Sequence, residues 1–188
     1  MKKILIITGD LATGKSTFGE ILAKRYCCPA LYKDKVKELL ADNIGFKNRE
    51  ENRRLSIAAV GLMIHCFTAV AESGGDIILE ANFKEDELRK LSLLKDDYGY
   101  KLLTLVLHAD MEKIYERFVN RIENENRHPA HISGFDGYDS LKYYIELSRT
   151  QATFGDVLEI NANDFSYQTD ERILSQIDDF WGKDYESN

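Results

Sequence analysis

The chain has 188 residues, of which 44% are hydrophobic, so it has the size of one ordinary domain and enough apolar side chains to fill a core. Its formal net charge of -7 argues against a protein held to nucleic acid by bulk electrostatics, because neutralising phosphates needs a surplus of Lys and Arg on one face. The amino-terminal apolar run is too short for a signal peptide and no other stretch stands out as a bilayer span, so we expect a single cytoplasmic domain over residues 1–188 without membrane contact.

Apolar β-branched runs alternate with amphipathic segments along the whole chain, which is typical of βαβ units around a parallel sheet. The predicted strands cover residues 3–8, 29–32, 76–81, 101–107 and 155–160. The predicted helices cover residues 15–26, 34–42, 49–73, 84–98, 110–123, 138–146 and 170–181. Because the strands are hydrophobic almost throughout, we expect helices on both faces of the sheet, that is, a three-layer α/β fold.

The first predicted strand leads directly into a complete G-x-x-x-x-G-K-[ST] phosphate-binding loop over residues 9–17. Gly9 and Gly14 permit backbone angles that a Cβ would forbid, so the loop can wrap phosphates closely. Lys15 can reach the β- and γ-phosphates, and the Ser16 hydroxyl can ligate Mg²⁺. The other predicted nucleotide contacts of the loop are Ala12, Thr13 and Thr17, the last of which also supports the start of the helix.

Polar residues follow the second predicted strand, at the edge where parallel sheets bind their ligands. Asp34 can accept a proton from an attacking hydroxyl or hold Mg²⁺ through water, and phosphoryl transfer needs both functions. The alternative is that Asp34 caps the helix that begins beside it.

Glu80 ends the third predicted strand, after three bulky aliphatic residues. A carboxylate at the end of a buried strand needs a partner, so we expect Glu80 to take part in Mg²⁺ coordination or in positioning the substrate. A salt bridge is the alternative role. The long helix over residues 49–73 would supply further polar contacts to the acceptor through Asn52, Arg53 and Ser56.

Three arginines, Arg117, Arg121 and Arg127, gather before and within an irregular stretch over residues 124–137. Irregular segments of this length inside compact domains are often lids, and phosphoryl transfer uses mobile guanidinium groups that close over the phosphates. The alternative is a solvated helix whose arginines pair with neighbouring glutamates. Arg149 is a weaker candidate for the same phosphate cluster.

Two absent motifs narrow the nucleotide-binding classes. The segment over residues 82–86 has one residue too many between Asn and Lys for the guanine motif Asn-Lys-x-Asp, which disfavours a GTPase switch. Glu80 is followed by Ala81 and so lacks the paired Asp-Glu of oligomeric motor ATPases.

On these motifs the sequence resembles the small P-loop kinases of the nucleoside-monophosphate-kinase-like fold, near the zeta-toxin, chloramphenicol phosphotransferase and adenylylsulfate kinase types. The resemblance implies a P-loop NTPase fold with a five-stranded parallel sheet in the order 2-3-1-4-5 and a helical lid at about residues 111–137. It implies that Asp34 is the catalytic carboxylate and that Arg121 and Arg127 are lid arginines. It also places adenine near Arg121 and Asn163.

The sequence therefore predicts a kinase that moves the γ-phosphoryl group of ATP·Mg²⁺ to a hydroxyl of a small molecule. Its catalytic residues would be Lys15, Asp34, Arg121 and Arg127, and its acceptor contacts would be Asp34, Arg53 and Glu80. One alternative is an ATP-binding regulatory module with slow hydrolysis. Another is a kinase of a sugar nucleotide or of a polynucleotide end, although the acidic charge makes a nucleic-acid partner the weaker choice. The oligomeric state stays open.

Overall fold

The computed structural model describes residues 2–124, 127–131 and 135–182. Its strands are β1 (Lys3–Gly9), β2 (Ala30–Tyr32), β3 (Ile77–Glu80), β4 (Lys101–His108) and β5 (Asp156–Asn161). Its helices are α1 (Lys15–Tyr26), α2 (Lys33–Ile44), α3 (Arg49–Ser73), α4 (Glu85–Tyr98), α5 (Met111–Asn124), α6 (Tyr138–Arg149) and α7 (Glu171–Trp181). Every predicted element is present, with ends shifted by at most three residues.

The five strands form one parallel sheet in the order β2-β3-β1-β4-β5, as the resemblance implied. In this register Glu80 lies beside Tyr32 of β2 and beside Ile7 of β1. The carboxyl ends of these three strands therefore meet at one edge of the sheet. The phosphate-binding loop, the start of α2 and the end of β3 are brought together there.

Side chains of β1 point alternately to the two faces of the sheet, and each face has its own apolar core. Leu5 and Ile7 belong to a core that includes buried residues of α1, α5, α6 and α7. Ile4 and Ile6 belong to a second core, with buried residues of α3 and α4. This is the three-layer arrangement that the continuous hydrophobicity of the strands predicted.

A third and smaller apolar cluster lies away from the sheet, between α2 and α3. It consists of Ala41, Leu55 and Ala130, with Leu40 and Phe46 packed against it. Ala130 belongs to a short 3-10 turn over Pro129–His131, within the predicted lid. The lid is thus connected to α2 and α3 through this cluster. Residues 125–126 and 132–134 of the predicted lid lie outside the described residues.

By length and composition alone, helix α3 is long and apolar enough to cross a membrane. This corrects the expectation that the chain has no stretch of that kind. A third of its most apolar window is buried inside the structure. Met63, Phe67 and Ala71 of α3 form part of the second core against the sheet. The core helix of a globular protein passes the same test, so this composition is weak support for a membrane span.

Candidate active site

The phosphate-binding loop folds as its glycines predict. Gly9 has a φ of 114°, and a Cβ there would lie only 2.2 Å from the Leu107 carbonyl oxygen. Gly14 has a φ of 82°, and a Cβ there would lie 2.9 Å from the Tyr167 hydroxyl. Larger residues would therefore be strained and crowded at both positions. Ala12 also adopts a left-handed conformation, with a φ of 57°.

Lys15 is buried at the start of α1. Its Nζ donates hydrogen bonds to the carbonyl oxygens of Gly9, at 3.2 Å, and Asp10. Burial lowers the pKa of the Lys15 ammonium, while the carboxylates of Glu80 and Asp34 act in the opposite direction. The ammonium thus lies within electrostatic reach of both predicted acidic residues. A phosphate in the loop would offer this cation a stronger acceptor than the two carbonyls it now holds.

A cavity of about 460 Å³ opens between the phosphate-binding loop, the start of α2, the first turns of α3 and the lid. This volume is within the usual range for a small-molecule site. Most of the predicted site residues line it, namely Ala12, Thr13, Gly14, Lys15, Ser16, Thr17, Asp34, Arg53, Glu80, Arg121 and Arg127. Asn52 and Ser56 line it as well.

Two predicted nucleotide contacts, Gly9 and Asn163, lie outside the lining of this cavity. Gly9 is packed against β4, so its role is to let two backbones approach closely. The side chain of Asn163 is occupied with Asp110, because its Oδ1 accepts the Asp110 N–H at 2.6 Å and its Nδ2 donates to the Asp110 carboxylate at 2.9 Å. A contact between Asn163 and adenine stays a prediction.

Asp34 lies in the first turn of α2, one residue inside the helix. The N-cap position belongs to Tyr32, so the structure does not bear out the alternative that Asp34 caps the helix. The Asp34 carboxylate is 61% exposed and lies 3.9 Å from Nδ1 of His131. It is therefore open to the cavity and able to meet a ligand.

Ser16 and Glu80 are in direct contact, because the Ser16 hydroxyl donates to Glu80 Oε2 at 3.0 Å. Glu80 is 5% exposed, and burial raises the pKa of its carboxyl group while the Lys15 ammonium opposes that rise. Mg²⁺ prefers oxygen ligands and is usually held by one or two carboxylates together with the phosphates of the substrate. A hydroxyl and a buried carboxylate beside the phosphate-binding loop fit that ion.

The three arginines of the lid region have different surroundings. Arg117 donates hydrogen bonds to the carbonyl oxygens of Ala12, Ala162 and Asn163, and its guanidinium lies 4.3 Å from the centre of the Phe165 ring. Arg117 therefore fastens the phosphate-binding loop to the segment after β5. Arg121 and Arg127 line the cavity, and the positive charge of Arg121 acts on Lys15.

Several polar residues that line the cavity were not among the site residues predicted from the sequence. Lys33 and Lys37 of α2, Arg49 of α3, Asn82 after β3 and His131 of the lid all line it. Nε2 of His131 lies 2.9 Å from a Glu38 carboxylate oxygen. The spacing of four residues between Lys33 and Lys37, repeated between Arg49 and Arg53, was a signal in the sequence, because residues four apart share a helix face.

Arg149 lies on the other side of the phosphate-binding loop, outside the cavity lining, and binds Asp10. The Asp10 carboxylate is 1% exposed, and it accepts the Arg149 guanidinium, with Nε at 3.1 Å, and the Ala109 N–H at 3.1 Å. Burial alone would raise the pKa of Asp10, but hydrogen bonds with His108 and Arg149 lower it to about 2. The end of α6 is thus fastened to the second residue of the loop.

We expect Asp10→Asn to lower the free energy of unfolding by about 2 kcal/mol at pH 7. The effect is moderate because the Asp10 carboxylate is buried whereas the Arg149 guanidinium is 38% exposed. The folded pKa lies below the ordinary value of 3.8, so this stabilisation is present above about pH 3.8 and is lost as pH falls towards 2. Urea unfolding at pH 7 and at pH 3 measures the difference, with the exposed Asp86→Asn as a control. An equal loss at both pH values would contradict the assignment.

The fold and the cavity together define a P-loop phosphotransferase of the small-kinase type. The chain belongs to the AAA_18 family of AAA domains, whose profile matches residues 5–135. Comparison with curated proteins gives no match.

Solved structures of kinases share this fold. A protein from Chloroflexus aurantiacus J-10-fl, described as a kinase of unproven activity, is similar with a TM-score of 0.79 and 28% identity, over 94% of this chain and 96% of that one. Shikimate kinase from Bacteroides thetaiotaomicron has a TM-score of 0.57 and 18% identity, over 96% and 99% of the two chains. The APS kinase of Mycobacterium tuberculosis, in complex with AMPPNP and APS, has a TM-score of 0.60 and 15% identity, over 94% and 96%. At such identities the last two show likeness of fold alone.

Proposed function

We propose that the protein transfers the γ-phosphoryl group of ATP to a hydroxyl of a small molecule, as one kinase domain with a lid at about residues 111–137. The observation that carries the proposal is the open carboxylate of Asp34 in the same cavity as the phosphate-binding loop. A protein that only binds nucleotide has no use for a proton acceptor in this cavity. A transferase needs it beside the γ-phosphate.

In the proposed reaction the acceptor hydroxyl oxygen forms a bond to the γ-phosphorus of ATP. The bond between that phosphorus and the β–γ bridging oxygen breaks, and ADP leaves with the bridging oxygen. Asp34 accepts the proton of the hydroxyl. Lys15 binds the β- and γ-phosphates, and Arg121 and Arg127 stabilise the charge on the transferring group.

Ser16 and Glu80, with Asp34 through water, would hold Mg²⁺ at the phosphates of ATP. When bound, the ion neutralises phosphate charge. Among the described residues no group of three or more His, Cys, Asp or Glu side chains is placed to hold a metal by itself. The metal site is therefore expected to depend on the nucleotide, and we expect Mg²⁺ and ATP to bind together.

The proposal is tested by incubating the protein with ATP·Mg²⁺ and a small-molecule cell extract, and by following metabolites that gain one phosphoryl group by mass spectrometry. We expect a product with the natural sequence and none with Lys15→Ala, because this variant loses the cation at the phosphates. Bound ATP with only slow hydrolysis and no product would favour a regulatory module. A product only after addition of sugar nucleotides or oligonucleotides would favour the larger acceptors.

A further inference from the structure

Four cations of α2 and α3 line the cavity in two pairs. Lys33 and Lys37 are four residues apart on α2, and Arg49 and Arg53 are four residues apart on α3. Like charges at this spacing repel and destabilise a helix. Two such pairs meet at one cavity in a protein whose net charge is -7, so their placement there calls for a ligand.

Lys37 is the most confined of the four. Its side chain is 9% exposed, and its Nζ donates to the Ala130 carbonyl oxygen at 2.7 Å. An ammonium has three N–H donors, and no carboxylate among the described residues forms an ion pair with this one. The Asp34 carboxylate acts on this ammonium only through space, and an anion bound in the cavity would give the buried cation a direct partner.

The neighbouring cations are also available to a ligand. Within the part of the chain that the structure describes, neither Lys33 nor Arg49 has an ion-pair partner. Arg53 is held by Glu50, with N–O distances of 2.9 and 3.0 Å, and remains 60% exposed. Three of the four cations thus form no direct ion pair with the described residues, and the carboxylates of Asp34 and Glu80 act on Lys37 and Lys33 only through space.

Two amide groups add a second kind of contact. The Oδ1 atoms of Asn52 and Asn82 are buried in residues that line the cavity, and they accept no hydrogen bond from the described residues. The Nδ2 of Asn52 is already committed to the Ala130 carbonyl oxygen at 3.1 Å. Carbonyl-type oxygens of this kind accept hydrogen bonds from ligand hydroxyls. The wall therefore combines cations for an anionic group with acceptors for hydroxyl groups.

We propose, on the basis of the phosphotransferase function above, that the acceptor is a small hydroxylated anion. Its carboxylate or phosphate group binds between α2 and α3, against Lys37 and Arg49, and one of its hydroxyls faces Asp34. The cations also offset the repulsion between the acceptor anion and the phosphates of ATP. Asn52 and Asn82 accept hydrogen bonds from the remaining hydroxyls.

The charge of the acceptor can be tested before its identity is known. A small-molecule cell extract is separated at pH 7 on an anion exchanger, and the bound and unbound fractions are each incubated with the protein and ATP·Mg²⁺. We expect the phosphorylated product to arise from the bound fraction. A product from the unbound fraction would overturn this inference and leave the kinase intact, whereas no product from either fraction would count against the kinase itself.

Once the phosphorylated product has identified the acceptor, the KM of that acceptor is measured in variants of the proposed anion site. We expect Lys37→Gln and Arg49→Gln each to raise the KM of the acceptor about tenfold or more, with the KM of ATP changed less than about twofold, since one charged contact is worth about 1.4 kcal/mol or more. Lys35→Gln on α2 and Arg54→Gln on α3 are matched controls, because both are exposed and lie outside the cavity lining.

An unchanged acceptor KM in both cavity variants, or equal changes in the controls, would overturn the site. Arg49 is exposed, so Arg49→Gln keeps the test valid if the buried Lys37 proves necessary for folding. Thermal unfolding of each variant separates the two effects. The mass of the product tells whether the anionic group of the acceptor is a carboxylate or a phosphate ester, because a phosphate ester gives a product with two phosphorus atoms.

Discussion

Replacement of Asp34 by Asn is expected to lower kcat by about 10²–10⁴ and to change the KM of ATP little, because Asn cannot accept the proton of the acceptor hydroxyl. The exposed carboxylate lies in the first turn of α2 and acts on Lys15 and Lys37 only through space, so the variant should fold and lose little thermal stability. Steady-state kinetics with a phosphorylated acceptor and a thermal melt measure the two quantities.

Asp97→Asn is a suitable control for this charge change, since Asp97 is exposed near the end of α4 and does not line the cavity. An unchanged kcat in Asp34→Asn would remove Asp34 from the chemistry. A raised KM for the acceptor alone would make it a binding residue.

Replacement of Arg127 by Ala is expected to lower kcat by about 10² or more and to weaken ATP binding by less than about threefold. The reason is that a lid guanidinium acts most strongly on charge that develops during transfer. Arg127 lines the cavity and has no ion-pair partner among the described residues, so its charge is available to the phosphates. Binding of ATP by calorimetry, beside kcat, separates the two effects.

Arg89→Ala provides the matched control, because Arg89 is an exposed arginine of α4 that pairs with Glu85 at 3.1 Å. Equal losses of kcat and of ATP affinity in Arg127→Ala would indicate a residue that binds ATP in the ground state. No loss in either quantity would remove Arg127 from the lid function.

The secondary structure was predictable because its signals are local. The β-branched run before Gly9 makes β1, and Gly74, with a φ of 81°, ends α3 after Ser73, where the predicted helix over residues 49–73 ends. The order of the strands has no local signal, and the family resemblance supplied it. The apolar composition of α3 was underestimated, because its charged first turn conceals a long apolar run.

The residues that line the candidate site could be predicted where a motif or the lid marks them, and where polar residues directly follow a strand. Asp34 and Glu80 were found in this way, since the carboxyl edge of a parallel sheet is where ligands bind. Lys37 was missed because its burial depends on Ala130, 93 residues further along the chain.

The arginines show the same limit of sequence reasoning. Arg117 and Arg121 are four residues apart on one helix, yet backbone carbonyl oxygens of distant segments hold Arg117, and Arg121 lines the cavity. Arg149 was proposed for the phosphates and instead binds Asp10, 139 residues away. Helical spacing gives the direction of a side chain, but the partner that it meets is decided by tertiary packing.

The small apolar cluster of Ala41, Leu55 and Ala130 has a consequence for the evolution of specificity. It is separate from the two cores on the sheet, so substitutions in α2 and in the first turns of α3 can reshape the acceptor wall while the ATP side stays intact. The chain shares its fold with kinases named for acceptors as different as shikimate and APS. On the proposed assignment, a new acceptor can be acquired by exchanging residues of α2 and α3 that line the cavity, while Asp34 and the phosphate-binding loop are kept.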